Sequence, residues 1–196
     1  MVSEPKKDWG DYYKATRNLP PSPLLVKALA YVIKKNKAID IGGGALKDTQ
    51  YLLSQGFETT AIDQSPQMSE MAKSLQSDML HFYVTKFIDF DFPAETFDIA
   101  SSMYSLPFNL PKEFNTVFTN IKKSLVVSGI FVGNFFGTRD DWHTKSTMTF
   151  HARQQVQALF ADMEVIFFQE KEFDGKTADG KPKHWHLFNV IARKKK

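Results

Sequence analysis

The sequence predicts an α/β fold: a doubly wound, mostly parallel sheet of seven strands, covered by helices on both faces and finished by an antiparallel hairpin strand at the C-terminal end. Three observations carry that prediction. An apolar stretch, Ala38-Ile39-Asp40-Ile41, runs into Gly42-Gly43-Gly44 and is followed, after a segment of helical period, by Thr60-Ala61-Ile62-Asp63. Beyond it, short apolar runs alternate with amphipathic segments at the spacing of strand–helix–strand units, which lay strands side by side and parallel. Finally, the polar stretch 174–183, with two glycines, a proline and no helical pattern, separates two C-terminal apolar runs. A parallel neighbour needs a crossover of about a dozen residues or more, usually helical, so this connection suits an antiparallel return.

The first element is an arm. Trp9-Gly10-Asp11-Tyr12-Tyr13 is aromatic-rich with no strand or helix period, and a place over a ligand cleft or one against the outside of the core both suit it. Leu19-Pro20-Pro21-Ser22-Pro23 ends whatever precedes it and opens a helix, with Ser22 as N-cap and Pro23 in the first turn, where a missing N–H costs nothing. Leu24, Leu25, Ala28, Leu29 and Val32 form its apolar face. Residues 38–41 are the first strand, 46–55 a helix closed by Gly56, and 57–62 the second strand. Ser65-Pro66 repeats the cap-and-proline start for a helix through Met68, Met71, Ala72 and Leu75. Residues 81–84, 97–101 and 130–136 are the next strands, and Phe114, Val117, Phe118, Ile121 and Leu125 make the buried stripe of the helix between the last two. Residues 165–168 and 187–191 are the final strands.

With 196 residues, 42% hydrophobic and 14% aromatic, the chain is long enough for one domain with a real core, and no repeat or composition break marks a second. Residues 1–196 are therefore read as a single domain, with 1–21 as an N-terminal arm over the cleft. No apolar run approaches the roughly 20 residues needed to cross a bilayer. Met1-Val2-Ser3-Glu4-Pro5-Lys6-Lys7-Asp8 lacks the apolar centre of a signal peptide, so the expectation is a cytoplasmic protein with no membrane partner. The absence of cysteine excludes disulfides, thiolate metal sites and cysteine nucleophiles. A net charge of only +3, partly in the terminal run Arg193-Lys194-Lys195-Lys196, argues against a nucleic-acid partner.

Function is sought first at the glycine turn. Without β-carbons the backbone turns tightly and a ligand can come close to it. An acid at the tip of the next strand, Asp63, can accept hydrogen bonds from a ribose diol, and charged acceptors make the stronger bonds. Together they form the layout of a site for an adenosine-bearing cofactor. The spacing does not meet the strict G-x-G-x-x-G fingerprint, since Leu46 stands where a third glycine is often found. As far as the fifth strand an NAD-dependent dehydrogenase would look the same, and the C-terminal hairpin separates the two.

These residues resemble the class I S-adenosylmethionine-dependent methyltransferases, in particular the small bacterial single-domain enzymes grouped with tellurite-resistance and thiopurine methyltransferases, whose sheet is Rossmann-like. The resemblance rests on residues 38–44 with Asp63, on Phe97-Asp98-Ile99, on Tyr104-Ser105-Leu106-Pro107-Phe108 and on Gly129-Ile130-Phe131. It implies S-adenosyl-L-methionine as cofactor, with Gly42 and Gly44 against its methionine part and Asp63 on the ribose. Gln64 and Met68 would flank the adenine, Phe87 would meet the adenine edge through its backbone, and Ser102 would sit below the sulfonium. Tyr13, Arg17, Asp40, Gly43 and Tyr104 complete the implied cofactor set. Lys86 stands where an acid often reads the adenine amino group, with Asp89 a few residues on.

Methyl transfer makes a dedicated base optional, and Tyr104 and His143 are the candidate catalytic residues, with His151 a further candidate base. The acceptor side is expected from loops beyond the strand C-termini: Tyr13 and Arg17, Tyr104 and Ser105, then Phe136, Arg139, Asp140, Trp142 and His143. Arg17 and Arg139 suit either an anionic partner or a surface salt bridge. His184 and His186 share one face of a strand with Trp185 on the other, and as no third ligand is evident no metal is assigned. Ser102-Met103-Tyr104-Ser105 stands where enzymes acting on exocyclic amines of nucleic acids carry Asn or Asp, two prolines and an aromatic. The expectation is a small-molecule acceptor and a monomer or homodimer. The alternatives are an RNA or protein methyltransferase and a non-catalytic cofactor-binding module.

Overall fold

A computed structural model describes residues 10–195. Trp9 of the arm, the stretch in which no signal peptide is read, and Lys196 of the basic run lie outside the described residues. In chain order the elements are α1 (Gly10–Thr16), α2 (Pro23–Ala28), β1 (Lys37–Ile41), α3 (Lys47–Ser54), β2 (Glu58–Asp63), α4 (Gln67–Ser74) and β3 (Leu80–Val84). They continue with β4 (Phe97–Ser102), α5 (Pro111–Ser124), β5 (Leu125–Gly137), β6 (Phe150–His151), α6 (Arg153–Leu159), β7 (Met163–Lys176) and β8 (Pro182–Lys194).

The sheet order is β3-β2-β1-β4-β5-β8-β7. Neighbours from β3 to β5 are parallel, and β8 runs antiparallel to both β5 and β7. This is the expected seven-stranded path with its C-terminal hairpin. An eighth strand, β6, adds two residues beside β5, pairing Phe136 with Phe150 and Gly137 with His151. It is too short to leave a period in the sequence.

Successive residues of β5 face opposite ways and divide the core into two layers. Ile130 and Val132 pack with Leu25, Ala28, Leu52 and Ile99 under α2 and α3. Phe131 and Phe135 pack with Phe114, Phe118 and Phe160 under α5 and α6. There the ring of Phe118 meets those of Phe131 and Phe160 edge-on, each at 5.3 Å, a geometry worth about 0.5–1.5 kcal/mol per pair beyond burial. The buried Asp98 ties β4 to the entry of β1, accepting the backbone N–H groups of Asn36 and Lys37 at 3.1 and 2.9 Å.

Three expectations are corrected. The arm is a helix, α1, and its period is hidden because adjacent Tyr12 and Tyr13 both turn inward, with Thr16 buried one turn on. Ser22 does precede α2, but its hydroxyl caps no N–H; it donates to Asp48 Oδ2 at 2.7 Å while its own N–H donates to Oδ1 at 2.6 Å. Half of the polar stretch 174–183 is strand, the ends of β7 and β8 closed by a turn in which Thr177 N–H donates to the Lys181 carbonyl at 2.9 Å. β7 is an edge strand with largely exposed side chains, so charged residues replace the apolar alternation.

β1 and β4 lie side by side, and the chain leaves them in opposite directions, toward β2 and toward β5. A crevice opens at the C-terminal ends of strands where the order reverses, which here is between Gly42 and Tyr104.

On β6, His151 lies 4.6 Å from the ring of Phe114 and 6.0 Å from that of Phe135, with no hydrogen-bond partner for Nδ1. Burial pushes its pKa down to about 4. The fold therefore favours neutral histidine, a contribution complete above the unfolded value of about 6.5 and lost as pH falls toward 4. Replacing His151 by Phe should leave the thermal midpoint at pH 7.5 little changed and make its decline between pH 6.5 and 4 shallower. Parallel curves for the two proteins would contradict this account.

Candidate functional site

The turn after β1 is bound to the tip of β2: the N–H groups of Gly42 and Gly43 both donate to the Ile62 carbonyl, at 2.7 and 3.1 Å. Gly42 has φ +79°, and a β-carbon there would lie 2.2 Å from Ser105 Cβ. Gly44 has φ +50°, and its missing β-carbon would stand 3.3 Å from the Tyr13 ring. Leu46 adopts φ +62°, a left-handed conformation that costs a non-glycine residue about 1–2 kcal/mol. Its side chain is fully buried with Ala61, Met68 and Ala72, and burying a leucine contributes roughly 1.5–3 kcal/mol, so the strain is offset. That backbone shape is why a glycine also suits this position.

Asp63 joins three elements. Its Oδ2 accepts the Gly44 N–H at 3.0 Å, and its Oδ1 accepts the Ser65 N–H at 2.8 Å and the Tyr13 hydroxyl at 3.3 Å. Burial raises its pKa, against the lowering effect of the backbone donors of Ser65 and Gly44. Below the turn, Asp40 accepts the Thr49 hydroxyl at 2.6 Å. Burial, and next the nearby Asp48 carboxylate, push its carboxyl up to about 7. Asp48 is held by Ser22 and by the Lys47 ammonium at 2.9 Å.

These groups line one end of a cavity of about 990 Å³ that runs along the C-terminal ends of the strands. Of the residues expected at a cofactor, Tyr13, Asp40, Gly42, Gly43, Gly44, Asp63, Gln64, Phe87 and Tyr104 line it. Three others do not. Met68 is fully buried in the cluster behind α4, because the helix turns that face toward Leu46. Arg17 follows the last residue of α1 and is exposed on the surface. Ser102 is buried behind Ser105, its hydroxyl 2.6 Å from that of Ser105. Ser105 lines the cavity in its place and donates to the Ile41 carbonyl at 2.5 Å.

The catalytic candidates divide. Tyr104, 41% exposed, lines the cavity at φ +55°, its backbone N–H donating to Asn134 Oδ1 at 3.2 Å. Desolvation raises its pKa, so the hydroxyl keeps its proton. His143 is exposed away from the lining, its ring 5.6 Å from Phe150. His151 lies outside the lining as well, in the α5–β6 layer.

Arg139 is a surface ion-pair partner, reaching Glu170 at 3.0 Å and Glu172 at 2.7 Å. His184 and His186 also meet carboxylates on β7, at 2.7 Å from Asp174 and 2.9 Å from Glu170. Among the described residues no group of three or more His, Asp or Glu is arranged to hold a metal ion. Lys86 lines the cavity, whereas Asp89 is exposed outside it.

Sequence reasoning missed Tyr12 and Thr16 on α1 and Phe173 on the hairpin, all of which line the cavity. A cross-strand pair, Phe173 opposite Trp185, brings the hairpin to the cleft. The alternation His184-Trp185-His186 was the available signal, since it turns one aromatic away from two polar neighbours.

Residues 39–133 match the family described as methyltransferase domain. No curated protein matches the chain by sequence. A SAM-dependent methyltransferase from Methanosarcina mazei superimposes with a TM-score of 0.69 at 19% identity, over 90% of this chain and 99% of that one. TehB from Haemophilus influenzae gives 0.76 at 18% identity, over 94% and 66%. The 1,6-didemethyltoxoflavin-N1-methyltransferase of Burkholderia thailandensis, solved with 1,6-didemethyltoxoflavin and S-adenosylhomocysteine, gives 0.70 at 18% identity, over 100% and 94%. At these identities the structural likeness speaks for the fold.

Gly42→Ala should lower the thermal midpoint sharply, because a β-carbon collides with Ser105. The double variant Gly42→Ala with Ser105→Gly removes that collision and leaves mainly the backbone cost of a positive φ, about 1–2 kcal/mol. Partial recovery in the double variant is expected, and additive destabilisation would show that the contact is not the cause.

Proposed function

We propose that this chain, a class I S-adenosylmethionine-dependent methyltransferase carrying the methyltransferase domain at residues 39–133, transfers a methyl group to a small-molecule acceptor held in the same cavity as the cofactor. One observation carries the reading: a glycine turn and Asp63 share a wall at one end of a single cavity, and a cluster of aromatic rings lines the other end. The residues present fit the cofactor. At Gly42 a β-carbon would collide with Ser105 and at Gly44 it would stand 3.3 Å from the Tyr13 ring, so the turn must stay bare backbone where it lines the cavity. An ionised carboxylate offers about four acceptor sites, and Asp63 uses three of them within the protein.

In this reading Asp63 takes the ribose hydroxyls, Gly42, Gly43 and Gly44 face the methionine end, and Gln64 and Phe87 flank the adenine. Tyr13 closes over the carboxylate from α1. When bound, the sulfonium supplies an activated methyl group whose departure discharges its positive charge. The protein contributes placement, and orientation alone can supply roughly 7–11 kcal/mol of barrier reduction. Tyr104, protonated and exposed toward the cavity, positions the acceptor as a hydrogen-bond donor and does not serve as a base.

A small acceptor is supported by the size of the cavity, since ligand sites typically span about 300–1,000 Å³ and this one is about 990 Å³. It is supported also by the residues after β4, where Ser102-Met103-Tyr104-Ser105 replaces the signature of exocyclic-amine enzymes. The structurally similar Burkholderia enzyme was solved with a small molecule bound.

Calorimetric titration should show binding of S-adenosylhomocysteine and none of NAD. Asp63→Ala should weaken that binding by about 2 kcal/mol, roughly thirtyfold, through loss of the ribose hydrogen bonds; unchanged affinity in a folded variant would remove Asp63 from the site. Release of S-adenosylhomocysteine during incubation with a panel of small acceptors tests the second half, and release with RNA or protein alone would overturn it.

A further inference from the structure

We infer that the methyl acceptor is a flat aromatic or heteroaromatic molecule without positive charge, lying against the rings of Tyr104, Trp142 and Trp185, which Phe136 backs. The inference rests on the methyltransferase reading and names the substrate class of its acceptor end.

The geometry of that end is specific. Phe136 stands 6.5 Å from Tyr104, 6.1 Å from Trp142 and 5.8 Å from Trp185, and the two tryptophans are 5.7 Å apart, all tilted or edge-on. Tyr104, Trp142 and Trp185 line the cavity, with Tyr104 41% exposed, and Phe136, only 1% exposed, backs them. Its positive φ is held from the sheet: Asn134 accepts the Tyr104 N–H and donates its own amide to Asn189 Oδ1 at 2.5 Å. A residue other than glycine kept in that conformation by part-buried hydrogen bonds points to a side chain whose direction matters. Rigid aromatic walls offer broad apolar faces, and the ligand they accommodate best is itself flat.

Charge narrows the class further. Behind the wall lies Lys183, its side chain 1% exposed and its ammonium paired with the buried Asp140. That ammonium sits 3.8 Å from the ring centre of Trp185, 4.5 Å from Trp142 and 5.4 Å from Phe136. A cation on one side of an aromatic ring draws on the ring quadrupole that would attract another cation to the opposite side. Lys145, which lines the cavity, adds a second ammonium 4.4 Å from the Trp142 ring centre. Lys176 and Lys181 line this end as well, and the facing acids are Glu113 and Asp179, of which Asp179 is paired with Lys181 at 2.8 Å. The rings thus form a packed aromatic wall, and the surrounding charge favours neutral or anionic ligands against it.

Asp140 also explains how the wall is kept in place. It accepts the Trp142 N–H at 3.0 Å and the His186 N–H at 3.3 Å, so one carboxylate fixes the loop after β5, the start of β8 and Lys183 together. A buried ion pair is costly unless each partner is well satisfied. Here the pair sits where it sets both the position and the charge preference of the rings.

The test uses the whole protein saturated with S-adenosylhomocysteine and three probes, titrated by calorimetry: 2-naphthoate, protonated 2-naphthylmethylamine, and decalin-2-carboxylate. The naphthoate should bind at least about tenfold more tightly than either other probe, the scale of one stacked ring on an aromatic side chain. Trp185→Leu and, separately, Phe173→Ser at the rim should each weaken naphthoate binding severalfold while S-adenosylhomocysteine affinity stays within twofold, which also shows that the variants fold. Absence of naphthoate binding, equal binding of the three probes, preference for the amine or the saturated acid, or no loss in either variant would overturn the inference. If S-adenosylhomocysteine itself fails to bind, the methyltransferase reading falls, and the acceptor class falls with it.

Discussion

The carboxylate of Asp63 is the point on which the cleft depends. By accepting hydrogen bonds from Gly44, Ser65 and Tyr13 it joins the glycine turn, the start of α4 and the helix α1. Bonds to an ionised acceptor are stronger than neutral ones, about 1.5–3 kcal/mol each. The same bonds fix the orientation of the acid toward the cavity. Burial raises its pKa and the donors pull it down, first the backbone of Ser65 and then that of Gly44, so these N–H groups are what makes ionisation tolerable at this position. The glycines then serve two surfaces at once, the ligand side and the packed side, where Ser105 leaves no room for a β-carbon at Gly42.

The opposite end of the cavity is organised by a second buried acid. Asp140 binds Lys183 and the backbone of Trp142 and His186, and the rings of Trp142, Trp185 and Phe136 rest against that ammonium. Two carboxylates, one ending β2 and one after β5, thus organise the two ends. One holds polar donors beside glycines, which suits a nucleoside and an amino acid. The other stiffens an apolar wall, which suits an acceptor held by shape.

Much of the fold was legible because strands buried on both faces read as apolar runs, as residues 38–41 and 97–101 do. β7 was legible only where it is least exposed. From Gln169 onward it is an edge strand whose charges pair with the histidines of β8, and its residues look like loop in the sequence. The helix α1 was hidden because Tyr12 and Tyr13 are neighbours, and no apolar period survives in seven residues. At the site, the place of the glycines and Asp63 on the cavity wall was legible because it follows from the turn between β1 and α3 and from the end of β2. Met68 and Ser102 were misplaced because facing the cleft depends on rotations of one residue. Ser105, not Ser102, lines the cavity, and no spacing rule encodes that.

A crystal structure of the protein with S-adenosylhomocysteine tests the central claim most directly. The account predicts Asp63 within hydrogen-bond distance of the ribose hydroxyls, about 2.5–3.0 Å, with the sulfur above the glycine turn and facing the aromatic end. A ligand seated elsewhere, or an Asp63 carboxylate that makes no contact with the ribose, would contradict it.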